Sequence, residues 1–222
     1  LSIAEANHGA ETPATCDESH LHFNHTVTSF EADDLYASPP PWDLGHPQPA
    51  FLELAERGAI RGRVLDVGCG TGEHVLMCAR RGLAATGIDL AGSALGTARE
   101  KARERGLSAR FLRHDALRVA ELAESFDTVL DCGLFHMPHF TPADRAAFVG
   151  GLASVLRDGG HYFMLCFSDR APDDRPGPHR FSRDEITSWF ADGWQVDLEP
   201  ATIEITIDPA GRPAWLVDAR RT

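Results

Sequence analysis

The chain of 222 residues is long enough to bury one hydrophobic core, and no second catalytic module is expected. Its net charge of −12 weighs against a nucleic-acid partner, no local basic strip offsets it, and no apolar run approaches the roughly 20 residues that cross a bilayer. Five cysteines, an odd number without a CxxC pair, build no disulfide framework; with no charged-then-apolar leader after Leu1, they point to a reducing cytoplasm.

Residues 1–35 are polar, weakly periodic and histidine-rich, the composition of a flexible arm ahead of a single domain over 36–222. His20, His22 and His25 with Cys16 lack the second ligand pair at short spacing that zinc sites use, so no metal is expected. Residues 36–58 read as a lid. PPPWDLGHPQP over 39–49 is too proline-dense for a helix or a central strand, and it leads into a helix over 50–57.

Beyond the lid, apolar strand-like runs at 63–67, 84–88, 109–112, 127–130 and 161–167 alternate with helical stretches at 73–81, 92–105, 116–123 and 142–156. This alternation implies βαβ units and a parallel sheet. A helix over 182–190 opens on Ser182 three residues before Glu185, a capping box. Strands over 194–198 and 214–219 follow with little helix between them, which suits an antiparallel hairpin at one sheet edge.

The chemistry-bearing residues fall at successive strand ends. VLDVGCGTG over 64–72 sets a strand, a glycine loop (Gly68, Gly70, Gly72, with Cys69 between) and a helix start in one line. The loop is GxGxG rather than GxGxxG. Asp66 just before it would oppose a pyrophosphate but could hold an ammonium group, directly or through water. Asp89 ends the second strand, where a carboxylate accepts from both ribose hydroxyls of an adenosine; Asp115 ends the third, where it suits an adenine amino group between Leu90 and Leu117.

Taken together, VLDVGCGTG, TGIDL, RHDAL and FDTVLDCGLFH resemble the successive cofactor-binding motifs of class I S-adenosylmethionine-dependent methyltransferases, over residues 61–167. PPWDLGHPQPAF, LCFSD and GPHRFSRDEI are similar to segments of the thiopurine-methyltransferase-like enzymes, including bacterial enzymes that methylate heterocyclic toxins. The resemblance implies a doubly wound, seven-stranded, mostly parallel α/β sheet of the Rossmann-like methyltransferase type. It implies S-adenosylmethionine as cofactor and S-adenosylhomocysteine as product, and cofactor contacts from Gly68, Gly70, Gly72, Asp89, Leu90, Asp115, Ala116 and Asp131, with Trp42 closing over the site. Related sequences often carry arginine where this chain has His46.

A sulfonium is already a good leaving group, so the expected mechanism is in-line displacement governed by positioning, without a metal. His136, just past the fourth strand, is the expected base for an acidic acceptor. Trp42, Phe135 and Phe167 are candidates for an aromatic acceptor pocket, with His46 and Arg180 as further substrate contacts. AspCysGlyLeu after the fourth strand, in place of AsnProProTyr, and the want of a polymer-gripping domain point to a small-molecule acceptor, in a monomer or homodimer. The rival readings are a nicotinamide oxidoreductase, poorly served by one lysine and two tyrosines, and a noncatalytic S-adenosylmethionine-binding regulator.

Overall fold

The computed structural model describes residues 29–170, 178–190 and 192–222; His20, His22, His25 and Cys16 lie outside them. Helix α1 (Ser29–Asp34) and helix α2 (Pro49–Glu56) precede strand β1 (Arg63–Val67). The winding continues through α3 (Glu73–Arg80), β2 (Ala84–Asp89), α4 (Gly92–Glu104), β3 (Arg110–Arg113), β4 (Phe126–Cys132), α5 (Pro142–Val155) and β5 (Leu156–Phe167). Helix α6 (Arg183–Trp189) and the hairpin of β6 (Trp194–Ile205) and β7 (Asp208–Arg221) close the fold.

The seven strands run in the order β3-β2-β1-β4-β5-β7-β6, with β1 to β5 parallel and β7 antiparallel to both its neighbours. The sheet is buried on both faces, as crossover helices require. Alternate residues of one strand therefore enter different cores: Leu65, Tyr162 and Met164 pack on one side, Val64, Phe163 and Leu165 on the other. The strand order reverses between β1 and β4, and a crevice outside the carboxyl ends of the strands opens there.

Four elements depart from sequence expectation. The end of the expected arm forms α1, and Asp33 on it accepts from the amide and hydroxyl of Ser93 at 2.8 and 2.9 Å, tying it to the start of α4. The segment after β3 is a kinked 3-10 turn, Ala116–Leu122, ending at Ala123 with φ 51 rather than continuing as an α-helix. Strand β5 starts directly after α5, five residues earlier than its apolar run suggests. The hairpin is much longer than 194–198 and 214–219, because its prolines sit where the ladder tolerates them. Pro200 is on the edge strand, and Pro213 lies beyond the last β5 partner, Phe167 opposite Ala214.

No helix among the described residues is long and apolar enough to cross a membrane.

Candidate functional site

At the carboxyl end of β1 the chain turns through residues 68–72 into α3. Gly72 has φ 86, and a Cβ there would lie 2.8 Å from the Phe111 ring and 2.9 Å from Ala98, so only glycine lets the loop press onto β3 and α4. A Cβ on Gly70 would lie 2.6 Å from the Tyr36 hydroxyl. Asp89 holds the loop in place: one carboxylate oxygen accepts from the Gly70 amide and the other from the Ala91 amide, both at 2.8 Å. Burial raises the Asp89 pKa, opposed by those amides. Asp115 caps the 3-10 turn by accepting from the Leu117 amide at 2.9 Å.

These groups line a cavity of about 770 Å³, within the range of about 300–1,000 Å³ usual for small-molecule sites. Gly68, Cys69, Gly70 and Gly72 form part of its wall, with Asp89, Leu90, Asp115 and Ala116 beside them. Trp42, His46, His136, Phe167 and Arg180 lie on the same wall.

Four residues expected at the site are not on that wall. Phe135 is fully buried, with its ring among Phe148, Phe181, Trp189 and Phe190, so it belongs to the core and not to an acceptor pocket. Leu117 packs on the same core. Asp131, expected to touch the cofactor, faces inward and accepts from Leu134 N (2.8 Å), Phe135 N (3.3 Å) and the Tyr162 hydroxyl (2.8 Å). It shapes the turn that carries His136 back to the cavity; burial pushes its carboxyl up to about 7 against the pull of those three donors. Asp66 is buried behind the glycine loop. Its Oδ2 has no hydrogen bond among the described residues, the nearest basic atom is His74 Nδ1 at 3.8 Å, and burial with Asp131 and Asp89 nearby raises its pKa well above the usual carboxylate range.

His136 is 4% exposed and stacks on Phe167, ring centres 4.7 Å apart. Its Nδ1 accepts from the Phe167 main-chain N–H at 3.2 Å, and its carbonyl accepts from the His179 amide at 2.9 Å. Burial, with Arg145 and His179 nearby, holds its pKa down at about 3. Nδ1 of the ring expected to serve as a base is thus engaged with the main chain.

The roof came less readily from sequence. Gln48, 3% exposed, reaches across to the hairpin, its amide donating to Glu204 O and accepting from Glu204 N, both at 2.9 Å. Thr206 N donates to Pro41 O at 2.8 Å, so the lid and the hairpin tip close over the cavity together, with Ile203, Ile205 and Ile207 on its wall. Lys101 Nζ donates to Thr71 Oγ1 at 2.8 Å and pairs with Glu73 at 2.9 Å, while Thr71 donates to Asp43 of the lid at 2.7 Å. Tyr36 accepts from Trp42 Nε1 at 3.3 Å. Tyr36 and Lys101 lay outside every motif, and Gln48 and Thr71, though inside the lid and glycine-loop motifs, were not singled out; the one available cue was that Gln48 immediately precedes a helix-starting proline. Among the described residues, no group of three or more His, Cys, Asp or Glu side chains could hold a metal ion.

A family model described as "Methyltransferase domain" matches residues 64–160. The chain is 36% identical over 177 residues to a 2-heptyl-1-hydroxyquinolin-4(1H)-one methyltransferase of Mycobacteroides abscessus, covering 78% of this chain and 77% of that one. It is 32% identical to a probable thiol methyltransferase of Arabidopsis thaliana, covering 57% of this chain and 56% of the relative. A solved structure from work on the conversion of a disulfide bond into a thioacetal group during echinomycin biosynthesis superposes with a TM-score of 0.78 at 35% identity, covering 88% of this chain and 92% of that one.

Proposed function

The chain belongs to the class I S-adenosylmethionine-dependent methyltransferases that act on small molecules, and from that premise we propose that its acceptor is an aromatic or heterocyclic compound methylated on oxygen, nitrogen or sulfur. One observation carries the reading. A single cavity has the glycine loop, Asp89 and Asp115 on its wall together with His136, Phe167 and Arg180, so cofactor-type and acceptor-type groups share one space. The quinolone methyltransferase relative favours a heterocyclic acceptor and the thiol methyltransferase relative a sulfur one. Detoxification and natural-product tailoring both fit such a site.

The residues present suit the cofactor. Asp89 would accept from the ribose hydroxyls and Asp115 from the adenine amino group, with Leu90 and Ala116 flanking the ring. The orphaned Oδ2 of Asp66, behind the glycine loop, would complement the methionine ammonium at a distance or through water. When bound, S-adenosylmethionine supplies a methyl group on a positively charged sulfur. The chain's own task is to exclude water with the lid and hairpin and to hold the acceptor in line, and such positioning is worth about 7–11 kcal/mol. We take the transfer to be metal-free and the setting cytoplasmic, in a monomer or homodimer acting without nucleic acid.

Incubation with labelled S-adenosylmethionine and a panel of phenols, thiols and N-hydroxy heterocycles tests this. Transfer to members of the panel, competed by S-adenosylhomocysteine, is the expected result. A cofactor-binding chain that methylates none of them would be a binding protein and not this enzyme.

A further inference from the structure

We propose that His136 serves this site as a hydrogen-bond donor through Nε2–H, holding an acceptor molecule that arrives already ionised, and not as the base that ionises it. The proposal rests on the methyl-transfer reading above and specifies the acceptor class within it.

The first ground is the tautomer. A main-chain N–H can only donate, so the contact from Phe167 N makes Nδ1 the acceptor and leaves the proton of the neutral ring on Nε2. Phe167 cannot easily give way: it ends β5, pairs with Ala214 of β7, and its carbonyl accepts from Phe181 N at 3.0 Å. Moving the proton to Nδ1 would set two N–H groups against each other in a buried place.

The second ground is where Nε2 points. The ring forms part of the cavity wall, and the hydrogen bond its side chain makes to the described residues is at Nδ1, not Nε2. Gly133, with φ 94, keeps the approach clear: a Cβ there would lie 3.1 Å from Nε2. Burial, with Arg145 on α5 and His179 nearby, keeps the ring neutral down to about pH 3, and the contact at Nδ1 leaves its proton on Nε2.

The third ground is charge. Arg180 follows His179, whose amide bonds to His136 O, and Arg212 precedes Pro213, whose carbonyl accepts from Ser168 N beside Phe167. Both arginines line the cavity, Arg212 pairing with Asp208 at 3.5 Å, and together with an N–H donor they supply positive charge for an anion, while the wall's carboxylates Asp43, Glu73, Asp89, Asp115 and Glu204 come from the lid, the start of α3, the strand ends and the hairpin. His139, on the same loop, is half-buried, and burial lowers its pKa too.

The chemistry balances without an enzyme base. The acceptor, a thiol, acidic phenol or N-hydroxy heterocycle, gives its proton to water before binding. Its lone pair forms the bond to the methyl carbon as the carbon–sulfonium bond breaks and that electron pair returns to sulfur. No proton moves in the step.

The test uses the full chain labelled with ¹⁵N-histidine, with and without S-adenosylhomocysteine, and long-range ¹H–¹⁵N spectra between about pH 5.5 and 8.5. His136, assigned by its loss in His136→Gln, is expected as one neutral Nε2–H tautomer throughout; an Nδ1–H tautomer, or titration to imidazolium in that range, overturns the proposal. Kinetics with para-substituted thiophenols give the second readout. His136→Gln, which keeps an N–H donor, is expected within about five-fold of the wild type, whereas His136→Ala loses about 10- to 100-fold in kcat/KM. The pH midpoint should move with the pKa of each thiol. Equal losses of about 10²- to 10⁴-fold in both variants would indicate a base. Failure to bind S-adenosylhomocysteine or to methylate any thiophenol would count against the function proposed above, while the tautomer would still decide the role of His136.

Discussion

The glycine-loop side of the cavity and its roof are built on different principles. Around the glycine loop, carboxylates bond to main-chain amides close by: Asp89 to Gly70 and Ala91, Asp115 to Leu117. Over the roof, contacts join segments far apart in the chain, Gln48 to Glu204 and Pro41 to Thr206. The first arrangement is set by backbone geometry and tolerates few residue types. The second depends on individual side chains, so it is the part that can vary as the acceptor varies.

The sharpest way to break the first arrangement is Gly72→Val. The left-handed φ and the 2.8–2.9 Å approaches of Phe111 and Ala98 combine backbone strain with overpacking, for an expected loss of about 2–5 kcal/mol. Thermal melting should show it, and cofactor-product binding should vanish with it.

Acid sharpens the contrast from the other side. His136 and His74 are held neutral, with pKa values near 3 and 4, whereas in the unfolded chain both titrate near 6.5. The unfolded state therefore binds more protons below that pH, so each contributes stability that is lost as pH falls from about 6.5. Asp131, raised to about 7, has the opposite sign over the same window, so the difference between chains is the clean observable. Between about pH 7 and pH 4.5, denaturant midpoints should move in favour of His136→Gln over the wild type by about 2–3 kcal/mol.

The roof should yield to a smaller change. Gln48→Ala removes both bonds to Glu204 from a buried position, at an expected cost of about 1–3 kcal/mol. Hydrogen exchange at the Glu204 amide should quicken and acceptor KM should rise more than the cofactor's. Equal changes in both would mean that roof and loop do not behave as separate parts.

The same division explains what could be read from the sequence. The βαβ order, the glycine loop and the strand-end carboxylates were legible because each shows in a short run of sequence, even where its contact, such as Asp89 to Gly70, spans 19 residues. Phe135 and Asp131 were placed wrongly because a strand end shows where a loop begins and not which way it turns; three amide and hydroxyl donors turn Asp131 inward. The hairpin's reach beyond 194–198 and 214–219 was not legible, and Pro200 and Pro213 lie within the paired stretches, opposite Trp215 and Thr202. The contacts of Gln48 and Lys101 were hidden because their partners lie 156 and 30 residues away.

The central claim, that the loop, Asp89 and Asp115 form the S-adenosylmethionine site, is tested most directly by calorimetric titration of S-adenosylhomocysteine into the wild-type chain and an equally folded Asp89→Asn. Binding at about micromolar affinity, weakened about ten-fold or more by the substitution, is the predicted result. No binding to the folded wild-type chain, or an affinity that Asp89→Asn leaves unchanged, would contradict it.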